Sequence, residues 1–335
     1  MTTHSPSDKR LLTTRRGVSL LIAGMIVAIM LAQVDWAAFW RILRQLSPVH
    51  LVGAFAVYVL LNFFRSLRYI TLLDRPLPLL RVFPIALYHN FLVRLLPFKL
   101  GEISYIVLMQ KRLNVPVKAG VSSLFSSRLL ELLVIVLVAA VSLLGSGDVL
   151  ALPYQGAIAG VLVAGCLVGG VLGFYYMGAI LRMIARILRR VFAVSLLMSI
   201  ADKLDGLAQD FDRLHHPRIF ALALFWSLFT YSCSFGVNWI LLMAIGIQPD
   251  LSTLVVLVSL GMFATAFPFN ISGFGVVELS WGFGLTVLLG LTMGEATSIG
   301  LMLNGYQLLC AALSGAMGYA VVQWQAHESK WGDDI

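Results

Sequence analysis

Hydrophobic residues in this chain fall into runs of about 20 that recur from end to end, long enough to cross a ~30 Å hydrocarbon core as helices. The runs predict six full spans, over about 17–34, 49–72, 119–144, 155–179, 219–245 and 296–322. The short alternating segments of a β-barrel are not seen. Between the first two spans, Asp35, Trp36, Trp40, Arg41 and Arg44 mix aromatics with charge, as a short helix lying at the interface does. Segment 181–218 holds Arg182, Arg186, Arg189, Arg190, Lys203, Arg213 and Arg218. It reads as a cytoplasmic amphipathic linker whose basic face is solvated near anionic lipid.

Two apolar stretches are interrupted. The first, 82–110, is cut at Leu96-Pro97-Phe98-Lys99-Leu100-Gly101-Glu102. Pro97 removes a backbone donor and disfavours helix before it, and Gly101 permits a tight reversal. Neither half is long enough to span. Basic residues stand on both flanks, so this element is expected to be a re-entrant hairpin entering from the cytoplasm. The second, 251–291, is cut at Phe267-Pro268-Phe269-Asn270-Ile271-Ser272-Gly273-Phe274-Gly275 and then reaches Glu278. Its flanks, Asp250 and Glu295, are acidic, so it is expected to enter from outside. Non-helical backbone at membrane depth is tolerated only where it is buried in protein or lines a wet cavity. Both breaks are therefore candidate cavity walls.

Charge fixes the orientation. The loops 145–154 and 246–250 contain no Lys or Arg, and only Arg41 and Arg44 fall in segments assigned to the outside. By the positive-inside pattern, both termini are expected in the cytoplasm. Lys9, Arg10, Arg15 and Arg16 ahead of the first run read as the flank of a retained signal anchor rather than of a cleaved peptide. Composition agrees with this picture. With 59% hydrophobic and only 12% charged residues, against about 25% charged in soluble domains, there is too little polar surface to cover a water-facing globule. The net charge of +8 does not point to nucleic acid, since the basic residues flank apolar spans.

The order span, broken element, span occurs twice, over 49–144 and 219–322. Each break carries Pro-Phe, then Gly, then Glu. Pro97 matches Pro268, Gly101 matches Gly275, and Glu102 matches Glu278. On the orientation above, the two units enter from opposite faces. That is an inverted-topology repeat, a plan of transporters whose substrate passes at interrupted helices. The expected fold is an all-α polytopic membrane protein forming one membrane domain over 1–335.

Ionisable groups inside a membrane are costly and line cavities or pair. The set is Arg65, Arg68, Arg94, Lys99, Glu102, Arg128, Glu131 and Glu278. Arg65 and Arg68 stand near a span end, where snorkelling to the interface is as good a reading as a site role. Arg128 and Glu131, three apart on one helical face, could form a structural ion pair. Arg94, Lys99 and Arg128 would make a positive pocket able to hold phosphate. Glu102, Glu131 and Glu278 would balance it when empty, or bind a cationic headgroup, or carry protons. The candidate substrate contacts are Asn90, Arg94, Pro97, Lys99, Gly101, Glu102, Arg128, Glu131, Pro268, Asn270, Ser272, Gly273, Gly275 and Glu278. No enzyme constellation, phosphate loop or dinucleotide fingerprint stands out. His89 reads as a polar core residue. The cysteines Cys166, Cys233 and Cys310 are single and have no metal spacing. No metal, cofactor or enzymatic activity is expected.

Asn90, Leu96-Pro97, Gly101-Glu102, Arg128 and Glu131, followed by Pro268, Ser272-Gly273-Phe274-Gly275 and Glu278, resemble the two signatures of the lysylphosphatidylglycerol synthase transmembrane family. The resemblance covers about 49–322. It implies lipid translocation between leaflets of the bacterial inner membrane, with a membrane phospholipid or other lipid-linked molecule as substrate. This chain matches the flippase-like part without the aminoacyl-transferase domain. Ile103-Ser104-Tyr105 and the region of Asn304 and Gln307 lack basic residues that the family pattern leads one to expect. Two other readings compete: a proton-coupled small-solute carrier, and a non-catalytic accessory subunit of a lipid- or glycan-modifying enzyme. Self-association into a homo-oligomer is left open.

Overall fold

The structure is a computed structural model. It describes residues 32, 34–96, 100–145, 155–191, 195–214, 216–266 and 275–332. The first predicted span and the external loop after the third lie almost entirely outside these residues. The described residues form helices and contain no strand.

Asp35 opens α1 (Trp36–Gln45) by accepting from the Ala38 N–H at 3.0 Å, a side-chain N-cap. This is the short helix expected between the first two spans. It rests on the last helix, where Ser298 donates to the Asp35 carbonyl at 3.0 Å. Helix α2 (Pro48–Leu73) begins with proline at its first position, where the missing N–H costs nothing. The first broken element is α3 (Leu79–Leu95) and α4 (Leu100–Leu113), followed by α5 (Val117–Gly145). The second series is α8 (Pro217–Ala244), again opened by proline, then α9 (Leu251–Ala266), α10 (Val276–Leu289) and α11 (Met293–Gly332). Between the series stand α6 (Gln155–Val191) and α7 (Ser195–Leu214).

Among the described residues, four segments are long and apolar enough to cross a membrane: Pro48–Leu73, Val117–Ser142, Pro217–Ala244 and Met293–Gln325. Two helix boundaries differ from expectation. Helix α6 does not stop at 179 but runs on to Val191, 37 residues in all, about 55 Å at 1.5 Å per residue. No proline interrupts it, and its basic end is made of good helix formers. It therefore carries the start of the expected linker beyond a ~30 Å core. Helix α7 folds back on it. Arg182 pairs with Asp212, and Arg189 holds Asp202 at 2.8 Å and Asp205 at 2.6 Å. Likewise α11 continues through most of the segment assigned as a polar tail.

Both broken elements double back on themselves. In the first, a Cβ on Gly101 would lie 2.3 Å from the Leu92 carbonyl oxygen and 2.4 Å from Val93 Cα, so the start of α4 presses on the end of α3. Farther along, His89 Nδ1 meets Ser104 Oγ at 3.0 Å. In the second, a Cβ on Gly261 would approach the Trp281 indole nitrogen to 3.0 Å, and one on Gly284 would approach Leu257 to 2.8 Å. Helices α9 and α10 thus run side by side in the same sense as α3 and α4.

The two series exchange partners. Helix α2 packs mainly on its counterpart α8 and α3 on α11, while α9 packs first on its hairpin partner α10 and next on α5. Close approach relies on glycine: a Cβ on Gly318 would strike the Pro84 carbonyl at 2.5 Å, and one on Gly315 would strike Phe91 at 2.3 Å, the small-residue packing of membrane helices. One apolar core joins Leu241, Leu257, Leu285 and Leu303 of the second series. A separate core joins Tyr69, Ile85, Tyr105 and Met109 of the first. The polar groups gather in a seam where residues of both series meet.

Candidate functional site

A cavity of about 470 Å³ occupies that seam, within the size range of small-molecule sites. It is lined from both series, by Arg65 of α2, Arg94 of α3, Glu102 of α4, Arg128 of α5, Asn238 of α8 and Asn304 of α11. Apolar walls such as Ile135, Val258 and Trp281 complete it. Its lining includes Leu132, which is 49% exposed near the middle of α5.

On one side stands a charged chain. Arg128 binds Glu131 at 2.5 Å and Glu102 at 3.2 Å. Glu131 also accepts from Arg68 at 2.6 Å. Arg68 is 0% exposed, donates to Ser227 Oγ of α8 at 3.3 Å, and lies over the Tyr69 ring. The snorkelling reading of Arg68 is therefore overturned: its charge is sealed inside the protein, where only a hydrogen-bonded partner makes it tolerable.

On the other side stands an amide chain. Arg94 donates to Gln307 Oε1 at 2.9 Å and to Asn304 Oδ1 at 3.5 Å. Gln307 donates to Asn238 Oδ1 at 3.0 Å, and Asn304 donates to Glu278 Oε1 at 2.7 Å. The second oxygen of Glu278 accepts from the Gly275 N–H at 2.7 Å. Glu278 thus reaches back over the first turn of α10, as the glutamate of a capping box does, from a Gly275 at φ 97°, a value that glycine adopts without strain.

The two chains have the same layout. Glu278 and Asn304 are 26 positions apart, as are Glu102 and Arg128. Glu131 and Gln307 each follow three residues later on the same helix. Where the first half has an arginine and a glutamate, the second has asparagine and glutamine.

Arg65 is the remaining cation of α2. It donates to Asn90 Oδ1 at 2.7 Å and to Asn62 Oδ1 at 3.2 Å, and Asn90 donates to the Tyr58 hydroxyl at 2.6 Å. Among the described residues, no carboxylate lies within ion-pair distance of Arg65 or Arg94.

Of the expected substrate contacts, Arg94, Asn90, Glu102, Arg128 and Glu131 line the cavity. Gly101 closes the first hairpin and Gly275 caps α10, while Glu278 is fully buried behind Asn304. Pro97, Lys99, Pro268, Asn270, Ser272 and Gly273 lie outside the described residues. The expected positive pocket is corrected in one respect. Arg128 is paired with two carboxylates, so among the described residues lining the cavity the cations held only by neutral groups are Arg94 and Arg65. Asn304, Gln307 and Asn238 were missing from the expected set. Their signal was a pair of amides at helical spacing in an apolar run, at the same distance from a glutamate as Arg128.

Helical spans, helices broken at paired positions and a polar cavity between them define a multi-pass helical membrane protein built around an internal site. The chain belongs to the family described as Lysylphosphatidylglycerol synthase TM region, which matches residues 17–315. No curated protein and no solved structure matches it.

Proposed function

We propose that this protein is a flippase-like transporter that moves a polar or charged phospholipid, or another lipid-linked molecule, between the leaflets of the bacterial inner membrane. The observation that carries the reading is the cavity. Arginines and glutamates converge in an otherwise apolar chain between the two interrupted elements, and the lining includes the exposed Leu132. Ionisable groups at membrane depth mark a substrate path. A lining that includes an exposed leucine suits a headgroup whose acyl chains stay in the bilayer, whereas a free solute would need no such apolar edge. The family match supports a role at membrane lipid.

In this reading the chain crosses six times. The α3–α4 hairpin re-enters from the cytoplasm and the α9–α10 hairpin from outside. The units 49–144 and 219–322 form an inverted-topology repeat, which the exchanged packing of the two helix series supports. Both termini lie in the cytoplasm, and the protein carries its lipid rather than modifying it.

Reconstitution into vesicles with tail-labelled fluorescent phospholipids tests the proposal. Wild type is expected to accelerate exchange between leaflets over protein-free vesicles, and Glu102→Gln, Arg128→Ala and Glu278→Gln are expected to slow it. Failure to move any lipid class overturns the transport reading. Rates unchanged in all three variants overturn the site.

A further inference from the structure

We infer that the headgroup this cavity accepts is an anionic phosphate without a compensating positive charge. The inference rests on the flippase reading and names its substrate class. Charge accounting within the seam carries it. Arg68, Arg128, Glu102 and Glu131 form a balanced cluster of two cations and two anions. Glu278 is 0% exposed, and both its oxygens are already bonded, one to Gly275 and one to Asn304. The residues of the two breaks outside the described ones, 97–99 and 267–274, contain no Asp or Glu. With Glu278 counted, the described residues of the seam carry four arginines against three glutamates, and Glu278 is sealed behind Asn304, away from an entering ammonium group.

Arg65 and Arg94 remain, both lining the cavity and both held by amide oxygens alone among the described residues. An amide oxygen holds a guanidinium less strongly than an anion does. A phosphate oxygen entering the cavity therefore replaces a neutral bond with a charge-assisted one. The fork of each guanidinium matches phosphate geometry. A lysylated headgroup, with net positive charge, would instead bring like charge against a seam that has one cation in excess and two arginines without an ion-pair partner. The same chemistry would hold a free phosphate-bearing solute, so the test separates the two sources.

Purified full-length protein is placed in neutral phosphatidylcholine vesicles carrying one tail-labelled probe each: phosphatidylglycerol, phosphatidylethanolamine or lysylphosphatidylglycerol. Wild type is expected to move the anionic probe about tenfold faster than the cationic one, the worth of one charge-assisted hydrogen bond. The Arg65→Gln/Arg94→Gln double variant is expected to lose that preference. Arg94→Lys keeps the charge without the fork and is expected to retain the preference at a reduced rate, which separates loss of the anion site from misfolding. A cationic probe that moves as fast as the anionic one overturns the inference, as does a preference that survives the double variant. If no probe moves, the flippase reading falls, and inorganic phosphate binding to the detergent-solubilised protein decides the rest. Binding by wild type that is lost in the double variant assigns the anion site to a phosphate-bearing solute. No binding by wild type overturns it.

Discussion

Arg68 has the most demanding environment of any residue in the protein. Its guanidinium is completely buried and depends on Glu131 and Ser227. Arg128 shares Glu131 but keeps a side chain 38% exposed, so water helps to hold its charge. Removing one partner of a buried pair costs about 3–5 kcal/mol, because the other charge is left behind. Glu131→Leu, which leaves the sealed Arg68 without an anion, is accordingly expected to lower the thermal midpoint in detergent well below that of Glu102→Leu, which leaves Arg128 still paired with Glu131. Equal midpoints would count against a sealed Arg68. Asn304 serves two groups at once, Glu278 through its amide nitrogen and Arg94 through its oxygen. Asn304→Leu strips both and should cost about 1–3 kcal/mol, the range for a buried group left unsatisfied. Thermal unfolding followed by size-exclusion chromatography reads this loss.

At the scale of the helix, the hairpins depend on one glycine and one cap. A side chain at Gly101 would meet backbone atoms of Leu92 and Val93 at 2.3–2.5 Å, and backbone cannot step aside as a flexible side chain can. Gly101→Ala is expected to destabilise by about 1–3 kcal/mol, as overpacking does. Gly53→Ala, with nothing within 4 Å of the new Cβ, is expected to be neutral or stabilising by up to about 1 kcal/mol through helix propensity. Thermal midpoints of the pair check both signs.

The second hairpin begins at Asp250. Its carboxylate accepts from the Ser252 and Thr253 hydroxyls and from the Thr253 N–H at 3.1 Å. These bonds pull its pKa from 3.8 down to about 2. Because the folded value is the lower one, the cap is at full strength above the ordinary carboxylate range. It is lost as pH falls through about 2. Hydrogen exchange at the start of α9 is expected to speed up across that window in wild type. In Asp250→Asn it should show no such step.

The whole molecule makes a prediction about sidedness. On a background in which Cys166, Cys233 and Cys310 are replaced, Gln248→Cys is expected to react with a membrane-impermeant thiol reagent on intact cells. Lys111→Cys is expected to react only after the inner membrane is opened. Both positions are exposed, so silence at either one reflects location rather than burial. The reverse pattern would invert the proposed orientation.

The hydrophobic pattern alone specified the long helices and the two places where they break. A stretch of apolar residues about 20 long has one stable form in lipid, and proline and glycine interrupt it wherever they stand. It also specified which ionisable groups had to be accounted for, because any charge in such a run is conspicuous. It did not specify where α6 ends, since basic residues with good helix propensity continue a helix as readily as they leave it.

Only the tertiary structure decided which charges are partnered. Arg68 and Glu131 are 63 positions apart, and Arg94 and Gln307 are 213 apart. Nothing local records such a meeting. The structure brought α2, α5 and α8 together around one arginine and left two others facing neutral amides. Whether a buried charge is neutral scaffold or open binding site depends on what stands within 4 Å of it, and the packing of distant helices sets that distance.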